Sequence, residues 1–278
     1  MALSGGPEQL HRAGFPRLAG YEVEALIGHG PSGPVYLGRA TRAGDADGRD
    51  ADGRDARVAI KLLACWDDSR LRDELVALAE IARSVRHPNV VATQDLVGPE
   101  GEMTMALVTA FAPAGSLVAR IGATTGSSPP TDASIEWLAA IAEGLHAAHV
   151  KGLLHSNIHP AAVLFSAAGD PMLSDFGVAR VMAGPGWTGG AAEYLDPALA
   201  GKGEPSVSSD IYALGVLGRQ LLTGKVPYEG ETPSATVRRA ARGKALALGK
   251  VLPDLPRSLC DALDAAMARE PGSRPSSA

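Results

Sequence analysis

Gly28, Gly30 and Gly33 stand in the run G-x-G-x-x-G-x-V-Y, between two segments that read as strands, YEVEALI at 21–27 and PVYLGRA at 34–40. A dinucleotide fold needs such a run to open a helix, with the pyrophosphate on the helix N-terminus. Glycines that join strand to strand make a hairpin instead, one whose backbone can come close to a ligand. RVAIKLLA at 57–64 and MTMALVTAF at 103–111 add two more strand patterns, with a helical pattern between them. Beyond Pro113 the apolar period lengthens to three and four residues, which predicts helices over 134–150, 209–223 and 259–268. The expected class is therefore α+β, with a small antiparallel sheet carrying one main helix over about 21–111 and a mostly helical part over about 112–278. Residues 1–20, rich in Gly and Pro, read as a loose leader.

Composition narrows the partners. A hydrophobic fraction of 45% over 278 residues supports a sizeable core. A net charge of −5 gives no basic footprint for nucleic acid or an acidic membrane surface. Apolar runs fall short of the roughly 18 residues that span a bilayer. Cys65 and Cys260 lie far apart without a C-x-x-C pair, so neither a disulfide framework nor a zinc site is expected and a reducing cytoplasm is the simplest setting. Arginine outnumbers lysine 20 to 6, which fits a GC-rich bacterial genome. The segment ADGRD, repeated at 46–50 and 51–55, reads as a solvated hairpin loop; Ala56 stands where a calcium loop starting at Asp45 needs its glutamate.

The glycine run gains specificity from VAIK at 58–61, HSNIHPAAV at 155–163 and SDFG at 174–177, which follow in order. Together they resemble the protein kinase family, bacterial Ser/Thr kinases in particular, over Tyr21 to the end. The resemblance implies a bilobal fold divided near residues 111 and 112. It also implies a nucleotide site in which Lys61 grips phosphates, Val35, Ala59 and Leu164 hold the adenine, Thr109 is the gatekeeper and Ala110–Ala112 offer backbone groups. Lys61 needs a carboxylate on the following helix. Leu71, Leu75, Leu78, Ala82 and Val85 define that helix's apolar face, which puts Glu74 on the flank and Glu80 opposite, so Glu74 is the expected partner. Pro31 and Pro34 lack N–H groups at the tip of the glycine loop, which weakens its expected phosphate grip.

The catalytic loop departs from the family at each functional position. Asn157 replaces the aspartate that accepts the substrate's proton, His159 the lysine that steadies the transferred phosphoryl, and Ala162 the asparagine that holds a second magnesium. Asp175 remains as the metal ligand, so the resemblance leaves room for ATP, and for magnesium with a weakened hold. Further on, Ala191 and Ala198 replace the substrate-loop threonine and the Ala-Pro-Glu glutamate, and Arg274 is expected to have lost its carboxylate partner at 198. Ser156 stands where an arginine would read a phosphorylated loop, which leaves Thr188 as a candidate phosphosite without a receiver.

The resulting expectation is a pseudokinase, a protein-binding or regulatory module that takes up ATP without efficient transfer. The alternative is a weakly active Ser/Thr kinase or an atypical ATP-dependent transferase built on Lys61, Glu74 and Asp175. The stop at RPSSA, where the family's last helix continues, implies a domain of a longer protein, with protein partners and no membrane segment of its own.

Overall fold

A computed structural model describes residues 15–30, 32–41, 57–64, 68–98, 104–122, 131–184, 191–200 and 203–278. The repeat at 46–55, Pro31, Cys65 and Thr188 lie outside the described residues. The chain divides into two units, one ending at Arg83 and resuming over Ala92–Phe111, the other taking Ser84–Val91 and Ala112–Ala278. Residues 84–91 thus go with the second unit although they precede the last segment of the first.

The first unit is a five-stranded antiparallel sheet in the order β1-β2-β3-β5-β4. Its strands are β1 (Tyr21–Gly30), β2 (Gly33–Ala40), β3 (Arg57–Ala64), β4 (Thr93–Val97) and β5 (Thr104–Ala110). Alternation along β3 explains its two faces, because a side-chain period of two sends Val58 and Ile60 one way and Ala59 and Lys61 the other. Val58 and Ile60 are buried with Ala106, Val108 and Leu18 in a small apolar core. Leu18 corrects part of the expected leader: it is 6% exposed, and Phe15 meets Tyr36 edge to face at 5.8 Å, so these two residues pack against the sheet. Strand β4 has no counterpart in the sequence reading, since TQDLV is short and half polar. Helix α1 (Ser69–Ser84) starts where the Asp68 carboxylate accepts from the Leu71 amide at 3.1 Å, an N-cap bond. Its buried residues are Leu75, on the expected face, and Ala79, one turn further on, and Glu80 is exposed.

The second unit contains α2 (Leu117–Gly122), α3 (Thr131–Val150), a ladder of β6 (Val163–Phe165) and β7 (Pro171–Leu173), and α4 (Val178–Ala183). After them come α5 (Val207–Thr223), α6 (Pro233–Arg242), α7 (Leu248–Val251) and α8 (Arg257–Ala266). Helix α5 is buried nearly all round, as a helix apolar on every face must be. Ser206 and Ser209 cap its start reciprocally. Gly218 lets neighbours close in on it, since a Cβ there would sit 2.8 Å from Leu263 and 2.9 Å from Leu138. Because α5 is fixed from all sides, its first turn is a rigid mount for whatever side chain points out of it.

Candidate functional site

In the first unit, strand register collects the expected residues. Val35 pairs with Lys61 across β2 and β3, and Ala59 pairs with Thr109 across β3 and β5. Directly opposite residues share a face of an antiparallel sheet, so Val35, Ala59, Lys61 and Thr109 stand on one side of it, away from the Val58–Ile60 core. Gly28 pairs with Val35, and Gly30 pairs with Gly33 to close the hairpin. Gly33 has φ +138°, and a Cβ on it would lie 2.0 Å from the Leu62 carbonyl oxygen, so this position excludes a side chain. A Cβ on Gly30 would lie 4.0 Å from the Lys61 Nζ, which puts the ammonium beneath the glycine run. Pro34 stands opposite His29 in β2 and withholds one donor from the hairpin.

Glu74 is half-buried, and the contact the structure gives it is with Arg70 one turn earlier, Nε to Oε1 3.1 Å. That pair is 76% and 39% exposed, which makes it a weak surface ion pair. Arg70 thus engages one oxygen of the Glu74 carboxylate.

In the second unit, the loop that follows α3 hangs from one carboxylate. Asp210, in the first turn of α5 and 2% exposed, accepts from the His155 amide at 2.8 Å and the Ser156 amide at 2.7 Å. It also meets His149 Nε2 at 2.8 Å. Holding both amides on one carboxylate turns Ser156 into the left-handed region, φ 64°, a conformation that costs a non-glycine residue about 1–3 kcal/mol. The Ser156 Oγ is buried without a partner. His155 is fully buried and its ring lies 4.7 Å from that of Phe176. Its pKa falls from 6.5 to about 4, chiefly because burial penalises the charged ring; Asp210 and Asp175 oppose the shift and His159 adds to it. The neutral ring accepts at Nδ1 from the Asn157 amide at 3.3 Å.

The altered residues stand on this pinned backbone. Asn157 brings an amide, which cannot take a proton at neutral pH. His159 caps the short turn Pro160–Ala162, its Nδ1 accepting from the Ala161 amide at 3.2 Å. Ala162 is 2% exposed, and its carbonyl oxygen accepts from the Ser174 amide at 2.9 Å and the Ser174 hydroxyl at 3.1 Å. Leu164 is half-buried in β6, opposite Met172. Asp175 follows with φ 63°. Among the described residues no three His, Cys, Asp or Glu side chains gather as a metal site. Of the residues the resemblance assigns to magnesium, Asp175 is the one carboxylate, a donor set that fits a divalent cation poorly.

The loss expected at Arg274 is corrected by the structure. Asp196, two residues before Ala198, takes the guanidinium in both hands, Oδ2 to Nη1 2.5 Å and Oδ1 to Nη2 2.8 Å. The Arg274 side chain is 0% and the Asp196 side chain 3% exposed. Arg274 also donates to the carbonyls of Ser208, Ala268 and Arg269. Asp196 caps the turn Pro197–Leu199 as well, accepting from the Ala198 amide at 2.9 Å. The family's own position directs attention to Ala198; the signal that points to Asp196 is the Asp-Pro pair in LDPAL, a turn start with a carboxylate to spare.

The protein kinase domain family matches residues 21–278. A probable serine/threonine-protein kinase PknB of Lactococcus lactis is 30% identical over 261 residues, which cover 90% of this chain and 39% of the relative. The serine/threonine-protein kinase PkaB of Streptomyces coelicolor is 30% identical over 269 residues, 91% of this chain and 60% of that one. The chain thus spans about 39% to 60% of the length of these two relatives. The crystal structure of the Mycobacterium tuberculosis PknI kinase domain has the same fold, with a TM-score of 0.71 at 23% identity, covering 94% of this chain and 92% of that one.

Proposed function

The chain belongs to the protein kinase family, and within that family we propose that it is a pseudokinase, a regulatory, protein-binding module that takes up ATP without efficient phosphoryl transfer. One observation carries the reading. The loop backbone is held as a kinase loop needs, with Asp210 fixing His155 and Ser156, while Asn157, His159 and Ala162 present an amide, an imidazole and a methyl group. General base catalysis contributes about 10²- to 10⁴-fold, and stabilising the transferred charge contributes a comparable factor. Losing both leaves little transfer. ATP uptake would draw on Gly28, Gly30, Gly33, Val35, Ala59, Lys61 and Thr109 of the first unit, with Glu74 as the expected partner of Lys61.

Thr188 is proposed as a site for another kinase, since Ser156 cannot read a phosphate in cis; phosphopeptide mapping that never finds it would remove that part. A cytoplasmic setting fits two distant cysteines, of which Cys260 is buried and reduced. No helix among the described residues is long and apolar enough to cross a membrane. The test is a melting series with ATP, because a ligand bound only by the native state stabilises it by RT ln(1 + [L]/Kd). Saturating ATP should raise the Tm, and Lys61→Met should abolish the rise; an unchanged Tm in the wild type would contradict the nucleotide half of the reading. The retained Lys61 and Asp175 favour the second reading, a weak kinase or atypical transferase, and turnover lost with Lys61→Met would establish it.

A further inference from the structure

We infer that the Asp175 site holds no divalent cation, so that a nucleotide bound as proposed above enters as the metal-free anion. The second half rests on the pseudokinase reading; the first rests on the second unit alone.

A hard cation of magnesium's size demands near-octahedral oxygen ligands and gives up water reluctantly, so a protein holds it with carboxylates or well-placed carbonyls. The loop beside Asp175 supplies few of these. Ala162 offers a methyl group at the position where the family has an amide. Its carbonyl cannot substitute, because both lone pairs are taken, one by the Ser174 amide and one by the Ser174 hydroxyl. His159 cannot substitute either. Its Nδ1 lone pair accepts from the Ala161 amide, so in the neutral ring the hydrogen sits on Nε2, and that nitrogen presents an N–H, not a ligating lone pair. Asn157 offers a neutral amide oxygen where the family has a carboxylate, which lowers the ligand charge available to a hard cation. His155 is buried, with Nδ1 engaged by the Asn157 amide.

Asp175 thus brings a single carboxylate, and most of the coordination shell would have to be water or ligand oxygen. Such an ion gains little from the protein. With no cation to bridge them, the Asp175 carboxylate and a polyphosphate repel each other, so Asp175→Asn should leave ATP affinity in chelator unchanged or raise it.

The experiment uses the 278-residue chain. Mn²⁺ titrated into the protein alone and followed by its free six-line EPR signal should show no uptake that Asp175→Asn removes. In parallel, ATP melts with EDTA and with Mg²⁺ should give apparent affinities within about twofold of each other. Mn²⁺ uptake abolished by Asp175→Asn would overturn the inference, as would a Mg²⁺ gain above about twofold that the same variant removes. Uptake equal in wild type and Asp175→Asn is surface binding and supports it. If ATP shifts neither melt, the nucleotide reading fails, while the Mn²⁺ signal still decides the metal statement.

Discussion

The sheet of the first unit and the loop of the second keep opposite things. On the sheet, register places Val35, Ala59, Lys61 and Thr109 on one face, and the side chains that would meet a nucleotide are still there. On the loop the backbone is pinned by Asp210 through the amides of residues 155 and 156, and Asn157, His159 and Ala162 stand where the resemblance would put reactive side chains. The difference shows that position and chemistry are held by separate residues. Asp210, Asp196 and Arg274 set where the loop and the segment after it sit, and none of them needs Asn157, His159 or Ala162 to be catalytic.

The largest effect should come from breaking the anchors. Asp196→Ala leaves the Arg274 guanidinium buried without its carboxylate, and removing one partner of a buried pair costs about 3–5 kcal/mol; urea denaturation should show it. A loss below about 1 kcal/mol would mean that the other Arg274 bonds suffice.

Acid should act next, through His155. The unfolded ring takes up a proton near pH 6.5 and the folded ring only near pH 4, so the unfolded state binds more protons between those values. Stability should therefore fall as pH drops from 6.5 to 4 and then level off with respect to this group. The whole loss should be about 3 kcal/mol, since each pH unit between the two values contributes roughly 1.4 kcal/mol. His155→Gln should flatten that slope in denaturant melts.

Gly33→Ala tests the sheet's side of the comparison. Its φ of +138° and the 2.0 Å approach to the Leu62 oxygen leave no room for a methyl group. The expected cost is about 2 kcal/mol or more, accompanied by loss of the ATP-dependent rise in Tm. Smallest of all is Arg70→Ala, which removes an exposed i,i+4 pair and should change stability by less than about 0.5 kcal/mol. Its value lies in the melts with ATP, which should be unchanged or improved once Glu74 is released.

Most of the sheet and the position of the loop were legible because short motifs fix backbone geometry: a glycine run between strand patterns can only be a hairpin, and VAIK sets the alternation that sorts Lys61 from Ile60. The choice of Glu74 over Glu80 followed from helix period, and the structure leaves Glu80 exposed. Two things were not legible. Glu74's bond to Arg70 depends on side-chain choice within one turn, where several weak pairings compete. Asp196's capture of Arg274 joins residues 78 apart in sequence, and no periodicity reports a long-range pair that has moved two positions along its loop. Leu18 was hidden for a related reason, since a lone apolar residue in a Gly- and Pro-rich stretch carries no pattern.

Whether the emptied loop still performs chemistry is decided by transfer of the ATP γ-phosphate to a protein substrate, or to the chain itself, by wild type beside Lys61→Met. A pseudokinase gives the same background signal in both. Transfer by wild type that disappears in Lys61→Met would contradict that reading.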